Sequence, residues 1–123
     1  LGTLRLRYRA TDAWVEVLRF QVLIGPNVAT MIVGARSFFA AGETGDLRAT
    51  IGAAAPVSIA FIAANNGIEK TVTVATASTG ISWRTVIVEI KGAVTNVGAN
   101  YVYSFRLQDE RVLAASLPGP LSE

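Results

Sequence analysis

The residues in this sequence best suited to acid–base chemistry are nine carboxylates, for the chain holds no histidine and no cysteine. Without imidazole or thiolate, a proton relay at neutral pH would fall to Asp, Glu, Lys or Tyr alone. A glycosidase would need two carboxylates facing each other across a cleft at about 5 to 10 Å. The spacing supplies no such pair: Asp109 and Glu110 are neighbours, while Glu69 and Glu89 fall inside alternating segments that read as exposed. These acids are expected to be solvated or paired with arginine, and no enzyme is expected. The run Gly42-Glu-Thr-Gly-Asp46 lacks the lysine of a phosphate-binding loop, so it reads as a turn. Glu43, Thr44 and Asp46 could offer oxygens to Ca²⁺, which takes six to eight of them, but the turn reading is preferred, and no metal or cofactor is expected.

Binding chemistry has two candidate sets. Trp14 and Trp83 could stack on the apolar face of a sugar ring; a core position is the favoured alternative for Trp83, and more so for Tyr101 and Tyr103. Arg5, Arg7 and Arg9 place three guanidinium groups on one face of an extended segment. With no aromatic residue interleaved on that face and no further basic run, nucleic acid is not expected. Contact with a protein partner, or protection of a sheet edge, is. Nine of the eleven cations are arginine, whose planar fork suits interface ion pairs better than lysine does.

The elements that must position these residues read as strands. Residues 3–9 set Leu4, Leu6 and Tyr8 against the three arginines. Residues 13–24 are long enough for a helix, yet Leu18, Phe20, Val22 and Ile24 recur at period two before Gly25-Pro26-Asn27, which favours a strand. Residues 28–33 follow, with 36–40 continuing them or starting afresh after Gly34. Residues 47–51 read as a short strand or one helical turn. Residues 83–91 and 101–108 are the last two strands, the latter with Tyr101, Tyr103, Phe105 and Leu107 on one face. Between 57–63 and 68–76 lies Asn66-Gly67, the usual signature of a type I′ turn, which predicts that these two segments pair as a β-hairpin. About eight short strands and Gly-rich loops predict an all-β, antiparallel, jelly-roll-like β-sandwich over residues 1–112. Residues 113–123, with Pro118-Gly119-Pro120, are expected to be an arm or linker.

At 123 residues the chain suits one domain that buries about two-thirds of its unfolded surface. Hydrophobic residues make up 51%, charged residues only 16%, and the mean hydropathy is +0.43, so part of the surface is expected to be apolar and to meet a partner. No apolar run approaches the roughly 20 residues of a membrane-spanning helix, and no membrane association is expected. The first residue is Leu1 with no signal-like basic and apolar regions, which suggests a processed or excised piece.

The segments IGAAAPVSIAF, KTVTVATA, GISWRTVIVEIKG and YVYSFRLQDERV together resemble the small jelly-roll domains of tailed-bacteriophage virions, those of head decoration (cement) proteins and fibre tips. The resemblance implies a non-enzymatic homotrimer on the exterior of the virion, packed on capsid subunits, with no catalytic residue to carry over. The alternative is a carbohydrate-binding module or fibre-tip adhesin, extracellular or at a cell surface, that holds glycan through Trp14 or Trp83.

Overall fold

A computed structural model describes residues 3–26, 28–76, 80–108 and 112–115. The strands are β1 (Leu4–Arg9), β2 (Val15–Ile24), β3 (Thr30–Phe38), β4 (Thr44–Ile51), β5 (Val57–Ile62), β6 (Lys70–Ala75), β7 (Ser82–Gly92), β8 (Asn100–Gln108) and β9 (Val112–Ala115). They form two antiparallel sheets: sheet A in the order β1-β8-β3-β6, and sheet B in the order β5-β4-β7-β2-β9. Among the first eight, β1 pairs with β8, β2 with β7, β3 with β6 and β4 with β5. The chain is thus one long hairpin, its apex at residues 52–56, rolled into a sandwich. That winding is the jelly roll.

Period two decides which side chains enter the core. From sheet A come Leu6, Met31, Val33, Val74 and the β8 row Tyr101, Tyr103, Phe105 and Leu107; from sheet B come Leu47, Ala49, Ile51, Val86, Val88 and Ile90, all at most 2% exposed. In β2 the parity changes midway. Register slips between Glu16 and Leu18, a bulge that leaves Val17 and Leu18 both buried and then sends Phe20, Val22 and Ile24 inward. The same bulge turns Glu16 and Arg19 to one side, where Arg19 donates to both carboxylate oxygens at 2.7 and 3.0 Å.

Residues 47–51 are strand, not a helical turn: they close β4, which begins at Thr44 and takes in Asp46. β3 runs unbroken through Gly34, over which the Glu69 carboxylate lies; a Cβ there would come within 2.8 Å of it.

The expected hairpin at Asn66-Gly67 does not form. β5 belongs to sheet B and β6 to sheet A, so the connection crosses the core between sheets. After a 3-10 turn, Ala63–Asn65, comes a type II turn: Asn66 has φ −52° and ψ 135°, Gly67 has φ +76°, and Ile68 N–H donates to Asn65 C=O at 3.0 Å. Tertiary bonds override the local preference for a type I′ turn. Asn66 Oδ1 accepts from Phe39 N–H at 2.9 Å while its Nδ2 donates to Phe39 C=O at 2.8 Å, so the amide docks on the backbone after β3 as a neighbouring strand would. Gly67 N–H adds a bond to Ser37 C=O at 3.1 Å.

Candidate functional site

The antiparallel winding gathers the β1–β2, β3–β4, β5–β6 and β7–β8 connections at one end of the sandwich. Beneath that end sits an aromatic cluster. Phe39 packs on Tyr101 and Tyr103 with ring centroids 4.7 and 5.6 Å apart, and Phe61 meets Tyr103 at 5.4 Å. Room for the two tyrosines comes from facing glycines on β4 and β7: a Cβ on Gly45 would lie 2.7 Å from Tyr101 Cε2 and 2.9 Å from the Tyr103 hydroxyl, and one on Gly92 would lie 3.0 Å from the Tyr101 hydroxyl. Tyr101 donates to Thr44 C=O. The Tyr103 hydroxyl is buried with no hydrogen-bond partner among the described residues. Burial pushes both phenols above their ordinary range, Tyr103 furthest, and nearby carboxylates (Glu43 for Tyr101, Asp46 for Tyr103) act in the same direction.

Above this floor the connections expose apolar side chains. Ile62 is 47% exposed, Ile68 58%, Val94 74% and Val97 56%, and Phe38 at the end of β3 adds 41%. Ile62 and Val94 border a groove of about 360 Å³ whose polar lining includes Asp12, Thr44, Asp46 and Lys91.

Trp14 is half-buried on the outer side of sheet B, with the Arg48 guanidinium 4.4 Å and the Lys91 ammonium 5.0 Å from its ring centroid. Arg48 is held by Glu89 at 2.7 Å, and Lys91 faces Asp46 across the β4–β7 pair. Trp83 is not a core residue. It is 50% exposed on the outer side of β7, opposite Leu23, because at position 83 the alternation that buries Val86 and Val88 points outward. Eight residues separate it along β7 from Lys91, about 27 Å at strand rise, so Trp14 and Trp83 cannot share one sugar ring.

Arg5, Arg7 and Arg9 are exposed on the outer face of β1, an edge strand of sheet A. The register aligns Arg5, Ser104 and Arg36 in one row and Arg7, Val102 and Phe38 in the next. Arg36 and Phe38 join this surface through long-range pairing with β8, a relation no local motif announces. Arg36 donates to Gly67 C=O at 3.1 Å, and Arg106 on β8 pairs with Glu69 at 2.7 Å.

The three oxygens considered for Ca²⁺ do not converge. Glu43 turns back to accept from Ala40 N–H at 2.8 Å, whereas Asp46 lies within β4. Among the described residues, no group of three or more carboxylates could hold a metal ion. No helix is long and apolar enough to cross a membrane among the described residues. Comparison with known protein families, curated proteins and solved structures finds no match.

Proposed function

We propose that this chain is a non-enzymatic structural domain of a bacteriophage virion, a capsid decoration (cement) module that self-associates as a homotrimer on the outside of the shell and packs on shell subunits. The observation that carries this reading is the apolar end: Ile62, Ile68, Val94 and Val97 stand 47 to 74% exposed in or beside the β5–β6 and β7–β8 connections at one end of a jelly roll, with Ile62 and Val94 bordering one groove. Several large apolar side chains exposed at one end of a domain, beside a polar groove, are suited to protein contact. The connections are tied down by Asn66, bonded to the Phe39 backbone, and by Asn96, whose Oδ1 accepts from Thr44 N–H at 3.2 Å. A preorganised surface loses little entropy on docking. The jelly-roll winding agrees with the resemblance drawn from the strand segments, although a fold by itself assigns no activity.

Light scattering on the parent chain and on a Ile68→Asp/Val94→Asp variant tests the proposal. A trimer that the variant converts to a monomer, with its β-sheet circular dichroism kept because both side chains are exposed, is the expected result. A parent that stays monomeric at high concentration and does not bind shells overturns it.

One observation favours a second reading, a carbohydrate-binding module or adhesin. Trp14, flanked by Arg48 and Lys91, stands near a groove edged by Asp12 and Asp46, and a groove of about 360 Å³ is within the range of small-ligand sites. On a glycan array this reading requires binding that Trp14→Ala abolishes and Trp83→Ala, at the far end of the sheet, leaves intact.

A further inference from the structure

Charge is distributed unequally over the two outer faces. On sheet B, Glu16 is bonded to Arg19 and Glu89 to Arg48, while Asp46 stands opposite Lys91, so each of these three cations has an acid beside it, and Arg84 donates to Thr76 C=O and Trp83 C=O. On sheet A, the exposed Arg5, Arg7, Arg9 and Arg36 share their face with one described acid, Glu69, which is already engaged by Arg106. Among the described residues no ion pair reaches Arg5, Arg7 or Arg9. Three of these arginines recur at every second residue, about 6.7 Å apart, along a strand whose one partner among the described residues is β8. No other backbone hydrogen bond reaches β1 from the described residues, which leave the N–H and C=O groups of its outer edge unpaired.

From this geometry we infer that β1 is the receiving edge for an extended acidic segment of a protein partner, which adds to sheet A as a fifth strand with Asp or Glu at alternate positions opposite Arg5, Arg7 and Arg9. Strand addition supplies directional backbone bonds, and cross-strand charge pairs set the register and face. A second copy of β1 does not fit, since antiparallel pairing of the two edges would set arginine against arginine. Single-stranded nucleic acid would meet the charge but leave the backbone edge unused. The inference rests on the reading of this chain as a module that packs on proteins, and it specifies the chemistry of one such partner.

The test is a calorimetric titration of the full chain with a peptide of about ten alternating Glu and Thr residues, enough to cover the six residues of β1. Three comparators are run beside it: the same residues with all glutamates in one block, the alternating peptide N-methylated throughout, and an oligothymidylate of equal charge. The alternating peptide should bind, with an affinity that falls as salt rises and drops about tenfold on Arg7→Glu, while both altered peptides bind about tenfold more weakly or not at all. Thermal melting of the Arg7→Glu variant confirms that it folds. Absence of binding by the alternating peptide overturns the inference, as does equal binding of the blocked or N-methylated form. Tighter binding of oligothymidylate overturns it in favour of a phosphate-binding face. A trimer that persists while the peptide fails sinks the edge alone, whereas loss of the trimer strikes the packing reading beneath it.

Discussion

Replacing Tyr103 with Phe should stabilise this protein, while the same change at Tyr101 should weaken it. Both rings are 0% exposed and share one aromatic cluster, so the two variants remove the same atom from the same environment. They differ in the partner of that atom. Tyr101 donates its hydroxyl hydrogen to Thr44 C=O, a bond whose net value is about 1 kcal/mol. The Tyr103 hydroxyl sits against Gly45 with no partner among the described residues, and burying an unbonded hydroxyl costs about 1 to 3 kcal/mol. Tyr101→Phe should therefore lose about 1 kcal/mol and Tyr103→Phe gain about as much, a gap of about 2 kcal/mol. At this chain length about 3 to 6 °C of melting temperature corresponds to each kcal/mol, so melts followed by circular dichroism should separate the variants by about 6 to 12 °C, on opposite sides of the parent. If Tyr103→Phe proves as harmful as Tyr101→Phe, the hydroxyl is bonded in the folded state and the assignment of room and partners around Gly45 is wrong.

Other consequences follow from the same core and from the β2 bulge. Gly45→Ala forces a methyl against both tyrosines and should cost about 1 to 3 kcal/mol in a denaturant titration, whereas Gly34→Ala meets the flexible Glu69 side chain and should cost less. The folded pKa of Tyr103 is raised above its unfolded value of about 10, so stability is whole below pH 10 and declines as pH rises beyond it; Tyr103→Phe should reduce that decline when unfolding is followed against pH. Hydrogen bonding from Arg19 holds the Glu16 carboxyl below its ordinary range, so its titration midpoint by NMR should sit low and return upward on Arg19→Gln. Acrylamide should quench Trp83, half-exposed on β7, more readily than the half-buried Trp14, an ordering that single-tryptophan variants can measure.

Strand positions were legible in the sequence wherever one face is buried. Tyr101, Tyr103, Phe105 and Leu107 recur at period two because each second residue of β8 enters the core, and the same holds for Leu18 to Ile24 after the bulge. Partnership between strands was less legible, because jelly-roll winding pairs the first strand with the eighth and the second with the seventh, across most of the chain. The Asn66-Gly67 dipeptide illustrates the limit: it marks a turn correctly, but the two bonds from Asn66 to Phe39, twenty-seven residues away, determine which turn and hence which sheet the chain enters next. Trp83 shows a related limit. Strand alternation fixes its parity but cannot say which parity faces solvent until the facing sheet is known. The surfaces of functional interest were least legible. Arg36 and Phe38 join the arginines of β1 through an intervening strand, and Arg48 and Lys91 reach Trp14 from two others.

The claim that the apolar end meets other protein molecules is tested most directly by amide hydrogen exchange on the parent chain over a wide range of concentration. Slowing of exchange around residues 62–68 and 94–98 as concentration rises, with residues 52–56 at the opposite end of the sandwich unchanged, is the predicted result. Exchange at that end that stays fast at every concentration would contradict it.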